Sequence, residues 1–225
     1  MAGTSLDDLV AVTGLERGSL YGAFGDKHTI FLRALDEYSN MTMAAVRAEL
    51  RDSAESAYDR LVRHIRSTAR ANATDSKRYG CLTAKSAAEL AATDKAVARS
   101  VKRFINAYQA ELTETIATAQ REGDIDSAVN PRHMAVLVLA VLRGMEALRK
   151  GGASGATLTA TGEQATRCSP ARPSHTSHAR RAERIPRAPA PLRIASRLER
   201  SSRFEPDPLL TIQYITCYCA SRSRE

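Results

Sequence analysis

Near the start of the chain, four residues have types and spacing suited to gripping a polyanion: Ser5, Arg17, Gly18 and Ser19. Ser5 fits the N-cap of a short helix, its hydroxyl accepting an orphan backbone N–H, and Asp8 can answer three residues on as in a capping box. The free N–H groups of such a helix start favour phosphate. Leu6, Leu9 and Val10 share one face of this helix, and Gly14 ends it in the left-handed conformation glycine supplies. After Leu15, a second short helix turns Leu20 and Phe24 inward and leaves Arg17, Gly18, Ser19 and Tyr21 outside. Arg17 has the reach for a guanine edge, and Gly18 permits close backbone approach. Helix, four-residue turn and a short helix with a small, basic start form the shape that fits a DNA major groove.

Those residues need a scaffold, and the rest of the sequence reads as one made only of helices. Asp26 can cap a long helix from Lys27 to about Asp52, with Ile30, Phe31, Leu35 and Tyr38 as its early apolar positions. Ser53–Ser56 is a break. The spacing then predicts helices over 57–72 (Tyr58, Leu61, Val62, Ile65, Ala69), 81–91 and 95–121 (Val97, Val101, Phe104, Ile105, Tyr108, Leu112, Ile116, Ala119). Residues 73–80 read as a polar loop. Gly123-Asp124-Ile125 is a turn, and Asn130-Pro131 opens a helix to Lys150, proline suiting its first position. That helix has a wide apolar stripe: Met134, Leu137, Val138, Val141, Leu142, Met145 and Leu148. A weaker helix over 154–165 has Leu158 and Ala165 as weak apolar points. His64 and His133 lie among polar neighbours and are expected at the surface.

From Thr166 the periodicity collapses. Seven prolines fall between 166 and 208, and all 12 basic residues after 150 are Arg. The charge of +8 divides accordingly, +2 in residues 1–150 and +6 in 151–225, so the basic balance belongs to the tail and does not by itself support DNA binding at the front end. A reading-frame shift near residue 165 in a GC-rich coding sequence accounts for this composition; a natural basic tail without fixed structure is the alternative. If the shift is real, the isolated apolar patch Leu209–Ile215 is an aggregation hazard. The expected divisions are a DNA-binding segment (1–38), a helical domain (39–165), to which the family resemblance given below assigns ligand binding and dimerisation, and the Arg/Pro-rich tail (166–225).

The chain lacks an apolar run of about 18 residues for a membrane span and a basic-then-apolar leader, which puts it in the cytoplasm. Cys81 stands alone in the body, with Cys168, Cys217 and Cys219 in the tail and no C-x-x-C pair, so neither a zinc site nor a redox motif is indicated. Cys217-Tyr218-Cys219 is the nearest approach to a metal site and is set aside. No Ser/His/Asp set or carboxylate pair has catalytic spacing, so neither an enzyme nor a cofactor is expected.

Thr4 to Leu35 resembles the helix-turn-helix of the TetR family of transcriptional repressors, through Gly14-Leu15, Ser19-Leu20-Tyr21, Phe24, Gly25-Asp26-Lys27 and Ile30-Phe31. The likeness continues in Tyr79-Gly80-Cys81-Leu82, Ala88-Glu89-Leu90, Gly123-Asp124-Ile125 and the helix bearing Gly144. It implies that Tyr21 and Lys27 touch DNA phosphates, although Lys27 beside Asp26 also reads as an ordinary surface pair. It implies a homodimer through residues 131–165, double-stranded DNA with a near-palindromic operator as partner, and a small-molecule effector. The effector would sit among helices 57–72, 95–121 and 131–150, with Tyr58, Phe104, Tyr108 and Met145 as candidate liners; each also reads as plain core. Cysteines near the position of Cys81 serve some members as electrophile or oxidant sensors. The competing reading of Cys81 is a small buried hydrophobe. The family's DNA-binding domain begins with a further helix where this sequence has only Met1–Gly3, which predicts a frayed DNA-binding end and a start codon placed too far downstream. On that account the chain would be a truncated or frameshifted regulator that no longer binds DNA, acting at most as a helical ligand-binding or interaction module.

Overall fold

The structure, a computed structural model, describes residues 7, 10, 11, 14, 16–75 and 80–168. Its elements there are seven helices: α1 (Arg17–Phe24), α2 (Lys27–Leu50), α3 (Ala57–Thr74), α4 (Leu82–Glu89), α5 (Lys95–Glu122), α6 (Pro131–Lys150) and α7 (Gly155–Cys168). The tail from 169 on, including Leu209–Ile215 and Cys217-Tyr218-Cys219, lies outside the described residues, as do Thr4, Ser5, Asp8, Arg78 and Tyr79.

Short polar side chains set the helix starts. Asp26 Oδ1 accepts from the Thr29 N–H at 2.7 Å, Ser56 Oγ from Asp59 at 3.1 Å, and Asn130 Oδ1 from Arg132 and His133 ahead of Pro131. At the other end of α5, Gly123 takes φ +87° and returns its N–H to Ala119 and Gln120, a geometry a Cβ would strain.

The main core lies where α3, α5, α6 and α7 meet. Leu61, Ile65, Leu112, Ile116, Leu142, Met145 and Leu158 are almost wholly withdrawn from solvent there. A smaller cluster, Phe31, Leu35, Leu82, Val97 and Val101, joins the start of α2 to α4 and α5. The helix α1 packs on α2.

Three sequence expectations change. The α6 stripe splits in two: Ala135, Val138, Leu139, Leu142 and Met145 face the core, whereas Leu137 (55% exposed) and Leu148 (49%) point outward with Val136. Ile105 of α5 is likewise 40% exposed. The weak last helix is regular to Cys168, past the expected boundary at 165, and buries Leu158 and Thr166. It holds by closeness rather than apolar bulk: a Cβ added to Gly162 would stand 2.5 Å from the Ala69 Cβ, and one on Gly155 3.0 Å from the Ala73 carbonyl. Arg66 and Glu163 bridge α3 and α7 at 2.8–2.9 Å. Finally, His64 is buried, 3% exposed, because both ring nitrogens have protein partners: Glu49 Oε2 at 2.7 Å and the Tyr108 hydroxyl at 2.6 Å.

Candidate DNA-reading and effector sites

The helix α1 presents a small, polar surface. Arg17, Gly18, Ser19 and Tyr21 are all exposed, and no atom lies within 4 Å of a Cβ built on Gly18. The buried Phe24 anchors the far end, its ring covered by the Arg33 guanidinium at 5.3 Å. Gly25, at φ +83°, returns its N–H to the Tyr21 carbonyl and swings the chain from α1 into α2. Lys27 follows, half-buried, beside the capping carboxylate of Asp26, whose hydrogen bonds from Thr29 hold it below the usual carboxylate range. The Arg17 guanidinium is engaged by Asp7, with Nε 3.0 Å from Oδ1, and that exposed pair raises the Arg17 pKa. The structure thus leaves Arg17, Gly18, Ser19 and Tyr21 exposed along α1, with Lys27 half-buried just beyond its end; Ser5 and the Leu20 side chain lie outside the described residues.

The helix α2 carries this surface into the bundle and is fastened to α5 along its length. At its start His28 Nε2 lies 2.6 Å from Asp94 Oδ2, while Asp94 Oδ1 caps α5 by accepting from Ala96 and Val97. Midway, Asp36 accepts from Ser100 and from Arg103 Nη2, the latter at 2.9 Å. At its end Arg47 and Arg51 both donate to Glu111 at 2.7–2.9 Å. Burial works to raise the Glu111 carboxyl, but those arginines outweigh it and hold the group low; Glu49 is held low in the same way by His64 and Ser67.

Within the bundle, a cleft of ≈ 520 Å³ opens between α4, α5 and α6. Cys81 and Phe104 line it. Tyr108 and Met145 do not; Met145 is fully buried core, and the Tyr108 ring is clamped beneath the Arg143 guanidinium, 5.5 Å away, with its hydroxyl on His64. Tyr58 is half-buried, packed against the main core from the first turn of α3. One wall of this cleft is the short helix α4, whereas the helix over 57–72 borders a separate apolar groove with α6 and α7 through Ile65. The free thiol of Cys81 is only 6% exposed, against the Tyr38 hydroxyl and Arg143. Burial pushes the Tyr38 phenol and the Glu146 carboxyl up, Glu146 against the pull of Arg143 and Lys150.

Sequence had no signal for the Arg143–Glu146 pair in the cleft; both residues sit in what reads as an ordinary amphipathic helix, and only their i, i+3 spacing hinted that they would meet. The His64–Tyr108 contact is 44 residues long-range and left no local trace.

Residues 57–159 match the tetracyclin repressor-like C-terminal domain. Over that segment the chain is similar to TetR-type transcriptional regulators. Among relatives, it is similar to the HTH-type transcriptional repressor ComR of Escherichia coli K12, 25% identical over 151 residues that cover 67% of this chain and 72% of ComR. Two solved TetR-like folds superpose well. The reduced form of E. coli NemR gives a TM-score of 0.67 at 18% identity, over 78% of this chain and 90% of that one. A cysteine mutant of the TetR family regulator CifR, crystallised with 26-bp double-strand operator DNA, gives 0.65 at 25% identity, over 75% and 88%. These similarities favour the TetR-type regulator over a bare helical interaction module. Among the described residues, no helix is long and apolar enough to cross a membrane.

Proposed function

We propose that this TetR-type chain is a homodimeric, ligand-responsive transcriptional repressor in the cytoplasm, not an enzyme. The observation that carries the reading is the outer surface of α1. Its Arg17, Gly18, Ser19 and Tyr21 are exposed near Lys27, on a helix anchored by the buried Phe24. Two such surfaces, one from each protomer, would enter successive major grooves of a near-palindromic operator. Arg17 reads a base edge; Tyr21, Lys27 and, from the preceding helix, Ser5 take phosphates. The outward apolar residues of α6 and the apolar groove beside α7, which Met134, Leu137, Val141 and Ala165 line, form the face that a second copy would cover. This makes residues 131–165 the dimer interface. An effector in the bundle shifts α2 and with it the spacing of the two recognition helices, releasing DNA. Cys81 and Phe104 border its cleft directly, while Tyr58, Tyr108 and Met145 support the surrounding core.

Selection of bound sequences from a random duplex pool, followed by salt-titrated binding to the winner, tests the reading. A near-palindrome bound by a dimer, with affinity falling linearly on a logarithmic salt scale, is the expected result. Failure to enrich any sequence would overturn it.

A further inference from the structure

The cleft between α4, α5 and α6 has an apolar floor and a charged rim, and its charges do not balance. Val101, Phe104 and Ile105 supply the floor, and Ile105 is the large apolar side chain there that remains 40% exposed. On the rim, Lys85 pairs with Glu89 at 3.9 Å and Arg143 with Glu146 at 3.0 Å. Lys150 also lines the cleft, and among the described residues no carboxylate stands within 4.0 Å of it. Among the described residues that line the cleft, three cations therefore face two anions.

Arg143 is also under-used. Its Nε and Nη1 are buried without a hydrogen-bond partner, Nη1 meeting Glu146 at ion-pair distance but not at hydrogen-bonding angle. Buried N–H groups of a guanidinium are costly until an acceptor reaches them. The group cannot simply swing away to water, since it is stacked over the Tyr108 ring, which His64 holds in turn. We propose that this cleft binds a small organic monoanion, a carboxylate whose head bridges Arg143 and Lys150 and whose alkyl or aryl body lies on Phe104 and Ile105. A planar carboxylate matches the fork of a guanidinium, and a single negative charge matches the single surplus cation. Glu146 is the internal competitor for Arg143. The inference deepens the regulator reading by naming the effector's class, and rests on it only for the consequence at DNA.

The test is calorimetric titration of the full chain with octanoate and 4-butylbenzoate against their neutral partners, octanamide and 4-butylbenzamide. The acids should bind at least about tenfold more tightly than the amides. Lys150→Gln, at an exposed position that leaves the core intact, should cost the acids about tenfold and the amides less than about twofold. Glu146→Gln should strengthen acid binding, and Ile105→Asn should weaken acids and amides alike. Acids and amides binding equally, no effect of Lys150→Gln, or no binding of either acid would each overturn the proposal. Operator DNA separates the two readings. Acid binding with this pattern in a chain that selects no operator upholds the anion site and sinks the regulator; operator binding in a chain indifferent to both acids does the reverse.

Discussion

Replacing Arg17 by Ala should relax sequence preference at one base pair, a loss of about 1–3 kcal/mol of discrimination there, with other positions unchanged. Lys27→Ala should instead weaken binding to every duplex and lower the slope of affinity against salt by about one counterion. Competition binding with single-base operator variants at several salt concentrations distinguishes them, and equal loss of preference from both would end the division of roles. Asp7 already occupies the Arg17 guanidinium, so the base edge must outcompete an exposed carboxylate, a contest that more negative DNA wins readily. A second residue-scale test concerns His64. Tyr108→Phe removes the partner of its Nε2 while keeping the ring, and should destabilise the fold by about 1–3 kcal/mol in urea unfolding. The exposure of Arg17 and Tyr21 was legible from their polar character rather than from periodicity, since with Leu20 and Phe24 they fall at i, i+3, i+4 and i+7. The burial of His64 was not, since its neighbours along α3 are polar and its two partners come from α2 and α5.

At the scale of elements, caps and turns were the most readable features. Asp26, Asn130 and Gly123 act where local chemistry places them, because a cap needs only its own backbone. Packing faces were harder. An apolar stripe as wide as that of α6 records how much surface must be covered, not which side of it meets its own fold. Leu137→Lys should therefore leave the thermal melting point nearly unchanged while shifting the sizing profile toward monomer; an unaltered dimer would move the interface elsewhere on the surface. The helix α7 was undervalued because its contribution is smallness. Gly162→Ala forces two carbons toward 2.5 Å and should cost about 1–3 kcal/mol in chemical denaturation, although alanine is the better helix former.

Across the whole molecule, the charged ties of α2 give stability a definite dependence on acid. The carboxyls of Glu49 and Glu111 are held below the ordinary glutamate value of 4.5 in the folded chain and return to it on unfolding. Their contribution is complete above pH 4.5 and disappears as pH falls through their lower folded values. The buried Glu146, pushed the other way, is relieved of an unfavourable charge over the acid range and partly offsets the loss. Urea midpoints measured between pH 7 and 3 should fall on the acid side, and Glu111→Gln should flatten part of that fall. A flat profile in the native sequence would mean the two carboxyls are not held as described.

The fastening of α2 to α5 at three places turns a chemical event into a mechanical one. With 24 residues at about 1.5 Å each, α2 is a rod of roughly 36 Å, and α1 rides on its far tip. Tilting such a rod by about 10° about its Glu111 end carries the tip roughly 6 Å, well beyond the spacing of adjacent base pairs. The lever enlarges displacements toward its tip: a shift applied midway, where Tyr38 meets Cys81, is about doubled at the end that carries α1. The same gearing makes the His28–Asp94 latch, at the tip, the place where the least force holds the arm still.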